Sequence, residues 1–339
     1  MNKYPELRFQ LIGLLALITI VLPACKKVTS FPETASNVYI AGTSAYSGML
    51  WNNGISVTLT SDSISSANAI FVNGSDVYIA GAVFVNGFGN IPVYWKNGQA
   101  NFLTVPDPSG LGYLNAINVS GSTVYVAGAT GNQSPGYSTY AVLWTNGTPS
   151  YLDSIPYLDS VQTIPCSANS ITVSGNNILA AGYGSSGACY WMNGKETGIS
   201  AAPNTIASSV ASSGTDIYVT GEIADSNYVQ AAYWKDGNAV SLPSSGGGNS
   251  QAHDIYLSGT DVYACGNQSI NGFSVAIYWK DGVATILETA PGNSDANSIF
   301  VNGSDVYVAG FSNQNACYWK NGTVYILGST AVANSVFVN

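Results

Sequence analysis

The 339 residues contain a single histidine, His253, and an aspartate, Asp254, follows it directly. Upstream stand Glu222 and Asp225, close behind Gly221. One imidazole and three carboxylates can form a small acidic pocket for a cation or a polar ligand. Acid–base chemistry by the same groups needs them within hydrogen-bond reach of one another. The plainer alternative is a solvated loop carrying a surface histidine. No nucleophile motif and no second histidine accompany them. Cys166, Cys189, Cys265 and Cys317 show no C-x-x-C or Cys/His spacing, so no metal constellation is legible and no cofactor is expected.

The chain opens with Lys3 and Arg8 and then an apolar run from Phe9 to Leu22, too short and wrongly flanked for a stable membrane span. The run ends in Leu22-Pro23-Ala24-Cys25, which resembles a bacterial lipobox. The resemblance implies cleavage before Cys25 and acylation of its thiol. It divides the chain into a removed signal peptide (1–24), a lipidated tether (25–36) and a folded domain (37–339). Lys26, rather than an aspartate, follows the lipid site, which by the same resemblance points to the outer membrane. Acyl chains would then hold an otherwise soluble domain on the bilayer, at about 0.8 kcal/mol per buried methylene.

Nine Lys and Arg face 18 Asp and Glu, a net charge of −9. Lys96, Lys235, Lys280 and Lys320 recur at one repeat position and build no basic patch, which argues against nucleic acid and polyanionic substrates. Charged residues are only 8% of the chain, so most strand faces must be buried against protein.

Those strands come from one pattern, repeated seven times. A glycine closes the segment V-Y-V-A-G at Gly42, Gly81, Gly128, Gly182, Gly221, Gly266 and Gly310. The mean spacing of about 45 residues belongs to propeller blades. All seven tryptophans share a second column: Trp51, Trp95, Trp144, Trp191, Trp234, Trp279 and Trp319. Two residues after each comes Asn-Gly or Asp-Gly, from Asn53-Gly54 to Asn321-Gly322, the pairs that accept a type I′ hairpin turn. Each copy therefore reads as four strands, A to D, with apolar residues on both faces of B and C, as expected where sheets are stacked between neighbours. Cys189 and Cys317 occupy one column and Cys265 a position usually Ala or Val, so they read as small core residues rather than bridges.

The first copy starts in strand B, at Asn37-Val38-Tyr39, and the last segment, Ala333 to Asn339, is a lone strand A. The C-terminal strand is expected to complete blade one and close the ring. The fold class is thus all-β, a seven-bladed β-propeller of four-stranded antiparallel blades. Segments such as Asn297 to Gly310 (N-S-I-F-V-N-G-S-D-V-Y-V-A-G) resemble bacterial SBBP-type propeller repeats and are more distantly similar to NHL-type repeats. That resemblance covers 37–339 and implies the fold, with diverse partners.

Turn lengths then divide the two faces of the ring. The A–B and C–D turns are short and nearly constant. From the strand-B glycine to the tryptophan, 8 residues intervene in copies one, four and seven, but 13 and 15 in copies two and three. The face carrying the B–C and D–A loops is the expected binding face. Strand A starts there, and its second position is Asn68, Asn115, Asn169, Ser208, His253, Asn297 and Asn334. This is either a ligand collar at the channel mouth or a set of side chains each bonding its own D–A turn. Loop tyrosines Tyr113, Tyr137, Tyr140, Tyr157 and Tyr228 could offer aromatic platforms, and Asp62-Ser63-Ile64, Asp153-Ser154-Ile155 and Asp159-Ser160-Val161 resemble an O-glycosylation acceptor. The expected function is a monomeric, lipid-anchored envelope scaffold binding a glycan, peptide or partner protein. The alternative is an extracellular glycan-active hydrolase or lyase near His253.

Overall fold

The structure, a computed structural model, describes residues 36–60, 63–105, 111–131, 138–156, 166–200, 205–224, 228–245, 247–288 and 292–339. The signal peptide, Cys25 and the tether up to residue 35 lie outside these residues, as do Asp225, Tyr137, Tyr157, Asp62 and Asp159.

The described residues form seven four-stranded antiparallel sheets in a ring, and no helix: a seven-bladed β-propeller. In blade 6, for example, strands A to D are Ser250–Ser258, Asp261–Ile270, Phe273–Lys280 and Val283–Ile286. Each strand A packs on the strand A of the next blade, and these innermost strands circle the axis. The ring closes as the sequence predicts. Ala331–Val338 pairs antiparallel with Val38–Ser44 and supplies strand A of blade 1. Asn37 N–H donates to the Asn339 carbonyl at 2.7 Å, and Asn339 N–H to Asn37 at 3.1 Å.

The core consists of seven clusters, one between each pair of neighbouring blades, and each contains one of the seven tryptophans. Between blades 6 and 7, Trp319 packs with Tyr263, Cys265, Leu287 and Ile299. The indoles are essentially inaccessible to water. Trp144 and Trp279 also donate Nε1–H to the Thr104 and Pro243 carbonyls of the preceding blade, at 2.8 Å each. Cys166, Cys189, Cys265 and Cys317 are buried and unbridged, and burial pushes the Cys166 thiol up to about 12.

Strand A carries a β-bulge in every blade. The extra residue is the polar one of its second position: Asn334, Asn68, Asn115, Asn169, Ser208, His253 or Asn297. The bulge drives the strand-A carbonyl two residues before it against the glycine of strand B. A Cβ built on Gly42, Gly81, Gly128, Gly182, Gly221, Gly266 or Gly310 would lie 1.9–2.1 Å from that oxygen. This contact, rather than a turn, explains why the column holds only glycine.

At the opposite end the chain turns tightly. The Asn or Asp of each C–D turn has φ of 49–51° and its glycine 78–81°, the type I′ geometry. The same side chain accepts an N–H at the start of strand B, as Asn97 Oδ1 does from Val77 at 2.8 Å. Lys96, Lys235, Lys280 and Lys320 each reach back to an A–B turn aspartate (Asp76, Asp216, Asp261 and Asp305) at 2.8 Å. Each ammonium also sits over a strand-B tyrosine ring, 5.1–5.3 Å from its centroid. The hydrogen bond from Lys96 holds Asp76 below the usual carboxylate range.

One substitution and one deletion test this frame. Gly128→Ala, whose new methyl would meet the Tyr113 carbonyl, is expected to cost about 3 kcal/mol in urea unfolding. Deleting Ala333–Asn339 removes the inner strand of blade 1 and should sharply lower the midpoint of thermal unfolding. An unchanged transition in either would contradict the bulge and closure described above.

Candidate functional site

The bulged residues form a ring at the channel mouth, and their bonds run between blades. Asn68 Nδ2–H donates to the Leu114 carbonyl at 2.8 Å, Asn115 to Ala168 at 3.0 Å and Asn169 to Ala207 at 2.9 Å. Asn297 bonds Ala333 and Asn334 bonds Ala67, both at 2.9 Å. Ser208 holds the corresponding place in blade 5. In each of the five asparagine bonds the acceptor is the carbonyl just before the next blade's bulge. The asparagines thus latch neighbouring blades instead of bonding their own D–A turns. His253 makes the same latch, its Nδ1 lying 3.2 Å from the Ala296 carbonyl. A carbonyl only accepts, so this bond places a proton on Nδ1.

One residue deeper, Ser170, Ser298 and Ser335 accept the N–H groups of Val210, Val336 and Ile70 from the next blade at 3.2–3.3 Å. Asp254 takes this role in blade 6. Its Oδ2 accepts Ile299 N–H at 3.0 Å, and its Oδ1 accepts the Ser209 hydroxyl at 2.8 Å and Ile255 N–H at 2.9 Å. Burial raises the carboxyl's pKa, and these donors oppose the rise. The two rings line a channel cavity of about 240 Å³.

Asp254 therefore belongs to the channel frame, not to a pocket shared with Glu222, because it sits beyond the bulge and is fully engaged there. Asp225 lies outside the described residues. Glu222 and His253, in contrast, are joined by residues the sequence reading passed over. Gln251 Nε2–H donates to Glu222 Oε2 at 2.6 Å. Asn267 Nδ2–H is shared between Gln251 Oε1 at 3.3 Å and Asp295 Oδ2 at 3.0 Å. Asp295 Oδ1 lies 3.3 Å from His253 Nδ1. A chain of five polar side chains thus crosses blades 5, 6 and 7.

Two repeat columns position this chain. Glu222 and Asn267 both follow the strand-B glycine, where the first four blades have Thr43, Ala82, Ala129 and Tyr183. Gln251 and Asp295 lie opposite on strand A, paired with Asn267 and Phe311. The sequence signal was available: in both columns the charged and amide side chains occur only in blades 5 to 7.

Above the row opens a cleft of about 530 Å³, lined by Gln251, Asn267, Asp295, Ser269, Phe273 and Phe311 among others. Phe273 stands at its lip, 42% exposed. The Asn271-Gly272 turn before it has φ of 52° and 82°, a tight hairpin that sets the backbone position from which the ring projects. Glu222 is buried at 8% exposure, and burial raises its carboxyl's pKa. For His253, burial disfavours the imidazolium, but Asp295, the Ala296 carbonyl and Glu222 outweigh it and lift the pKa above 6.5.

The described tyrosines are not free platforms. Tyr228 donates its hydroxyl to the Gly248 carbonyl at 3.2 Å, Tyr140 packs on Tyr151 at 4.7 Å between centroids, and Tyr113 is half-buried. In the Asp153 motif, the carboxylate accepts Ser154 N–H at 2.7 Å and Ser185 N–H of the next blade at 2.5 Å.

No family model and no curated protein matches the chain. Among solved structures, it is similar to a Pyrococcus horikoshii acylaminoacyl peptidase at 11% identity and a TM-score of 0.50, over 88% of this chain and 51% of that one. The chain therefore spans about half the length of that peptidase, and the likeness is one of fold. The computationally designed Ika8 protein is also similar, with 15% identity and a TM-score of 0.45, over 86% of this chain and 80% of that one.

Because the folded-state pKa of His253 is raised, its contribution to stability is complete below about pH 6 and lost as pH climbs through the folded value. His253→Asn restores the common latch without the titration. The stability of the native chain minus that of His253→Asn should be steady below about pH 6 and decline as pH rises above it in denaturant titrations. A flat difference would mean that Asp295 does not hold the imidazolium.

Proposed function

We propose that this protein is a binding scaffold of the cell envelope, held by lipid on Cys25 and taking a glycan, peptide or partner protein on its loop face. The observation that carries this reading is that, in the two columns beside the strand-B glycine, charged and amide side chains occur only in blades 5–7, where they join in one hydrogen-bonded row under an open cleft. A rigid ring that presents a preorganised polar row suits recognition. The fold alone selects no activity.

The anchoring part rests on the lipobox resemblance at Leu22–Cys25 and the lysine that follows, which favour the outer membrane. The geometry of the first strand adds an orientation. Val38 begins strand B at the turn face, and Asn302 in the A–B turn of blade 7 donates to Ser36 Oγ there at 3.1 Å. A tether from Cys25 to Ser36 spans at most about 40 Å when fully extended. It enters the fold on the turn face, the side opposite the loop-face cleft.

A glycan-active enzyme is the second reading, favoured by Glu222, a buried carboxyl shifted toward its protonated form near a histidine–aspartate pair. Against it, Glu222 Oε2 accepts from Gln251 and Asp295 Oδ2 from Asn267, while Asp295 Oδ1 is buried beside His253.

Two measurements test the proposal, one its anchor and one its binding face. Cys25→Ser should move the protein from the membrane fraction to the soluble one; retention on membranes would overturn lipid anchoring. Full-length protein carrying Asn267→Leu should lose binding to immobilised envelope glycans or peptides, while the turn-face variant Lys280→Ala keeps it. Equal effects from the two faces would contradict the scaffold reading, and release of reducing ends from a glycan would favour the enzyme.

A further inference from the structure

We infer that the cleft over blades 5–7 is a site for a neutral sugar, bound through its hydroxyl groups to the Gln251–Asn267–Asp295 row with a ring face against Phe273. This rests on the binding reading above and names its ligand class.

Charge eliminates most alternatives. Five lysines supply all the Lys and Arg charge among the described residues. Lys96, Lys235, Lys280 and Lys320 are committed to aspartates at the turn face, and Lys195 follows the Asn193-Gly194 turn on that same face. No basic side chain among the described residues reaches the cleft, so phosphate, sulfate and acidic sugars find no partner there. A cationic ligand meets only one carboxylate at the cleft wall, Asp295, which already faces the imidazole of His253. An extended peptide would seek an unpaired strand edge. The cleft is built instead from strand ends and turns, Gln251 and Asp295 near the starts of strands A, and Asn267 and Phe311 near the ends of strands B.

What the cleft does offer is neutral and mixed in polarity. Gln251 and Asn267 present amide groups side by side, Asp295 adds the second lone pair of its Oδ2, and Ser269 and Ser274 add hydroxyls. Vicinal hydroxyl groups, each both donor and acceptor, match such a row. The apolar face of a pyranose matches an aromatic ring at the edge of the row, which is where the Asn271-Gly272 hairpin places Phe273. The volume of about 530 Å³ falls within the usual range for small-ligand sites, about 300–1,000 Å³. Glu222, buried behind Gln251, orients that amide and has no direct place at the sugar.

The test is titration of the full-length protein with a panel of neutral hexoses, N-acetylhexosamines and their disaccharides, with uronic acids, inorganic phosphate and short peptides as comparisons. We expect saturable binding of at least one neutral sugar and none of the anions. Phe273→Ala removes an exposed ring and should leave thermal unfolding unchanged, yet weaken the sugar by about tenfold or more. Asn267→Asp, which keeps shape but replaces a donor with an acceptor, should weaken it similarly. Lys280→Ala should have no effect. If peptides bind and lose affinity in Phe273→Ala while no sugar binds, the loop-face site stands and the sugar assignment falls. If sugar binding is indifferent to both cleft variants, or no panel member binds at all, the sugar assignment is overturned.

Discussion

The close approach of a strand-A carbonyl to a strand-B glycine is the constraint on which the rest of the molecule depends. Strand A must bulge to crowd seven copies around one axis, and a bulge bends and twists its strand. The bend thrusts an oxygen to where any side chain on strand B would be, so that position is glycine seven times. It also takes the residue two positions on out of the ladder, and in five blades a short amide there reaches across to the neighbouring blade. Packing, closure and the channel lining follow from this geometry. The tryptophans fill the space between blades that the bulges set at the axis.

Much of this was legible as pattern but not as cause. The period, the Asn-Gly turns and the unpaired strand fragments at the two ends specify seven blades and a closed ring, because turn chemistry and strand alternation are local properties. The constant glycine was visible too, yet its reason lies in a contact across the sheet. The asparagine ring shows the limit most clearly. A local rule assigns each amide to its own turn, whereas the structure gives five of them to the next blade, and no spacing within one repeat encodes that.

The site was partly legible for the same reason. Glu222 and His253 stood out as departures from the repeat, and the structure links them. Asp254 stood out equally, but the bulge between it and Ala252 puts it in the channel frame beside Ser209 and Ile299. Gln251, Asn267 and Asp295 were overlooked because an amide or a lone acid in a strand is unremarkable by itself. Only the alignment of adjacent blades turns them into a row. The frame uses what all blades share, and the polar row uses what blades 5 to 7 do not share with the others.

Amide hydrogen exchange followed along the whole chain measures this division most directly. If the bulge–glycine contact and its latches make one closed frame, the strand-A segments of all seven blades, 331–338 included, will exchange together in the slowest class. Exchange of 331–338 at the rate of a frayed end, or a graded loss of protection from blade to blade, would contradict it.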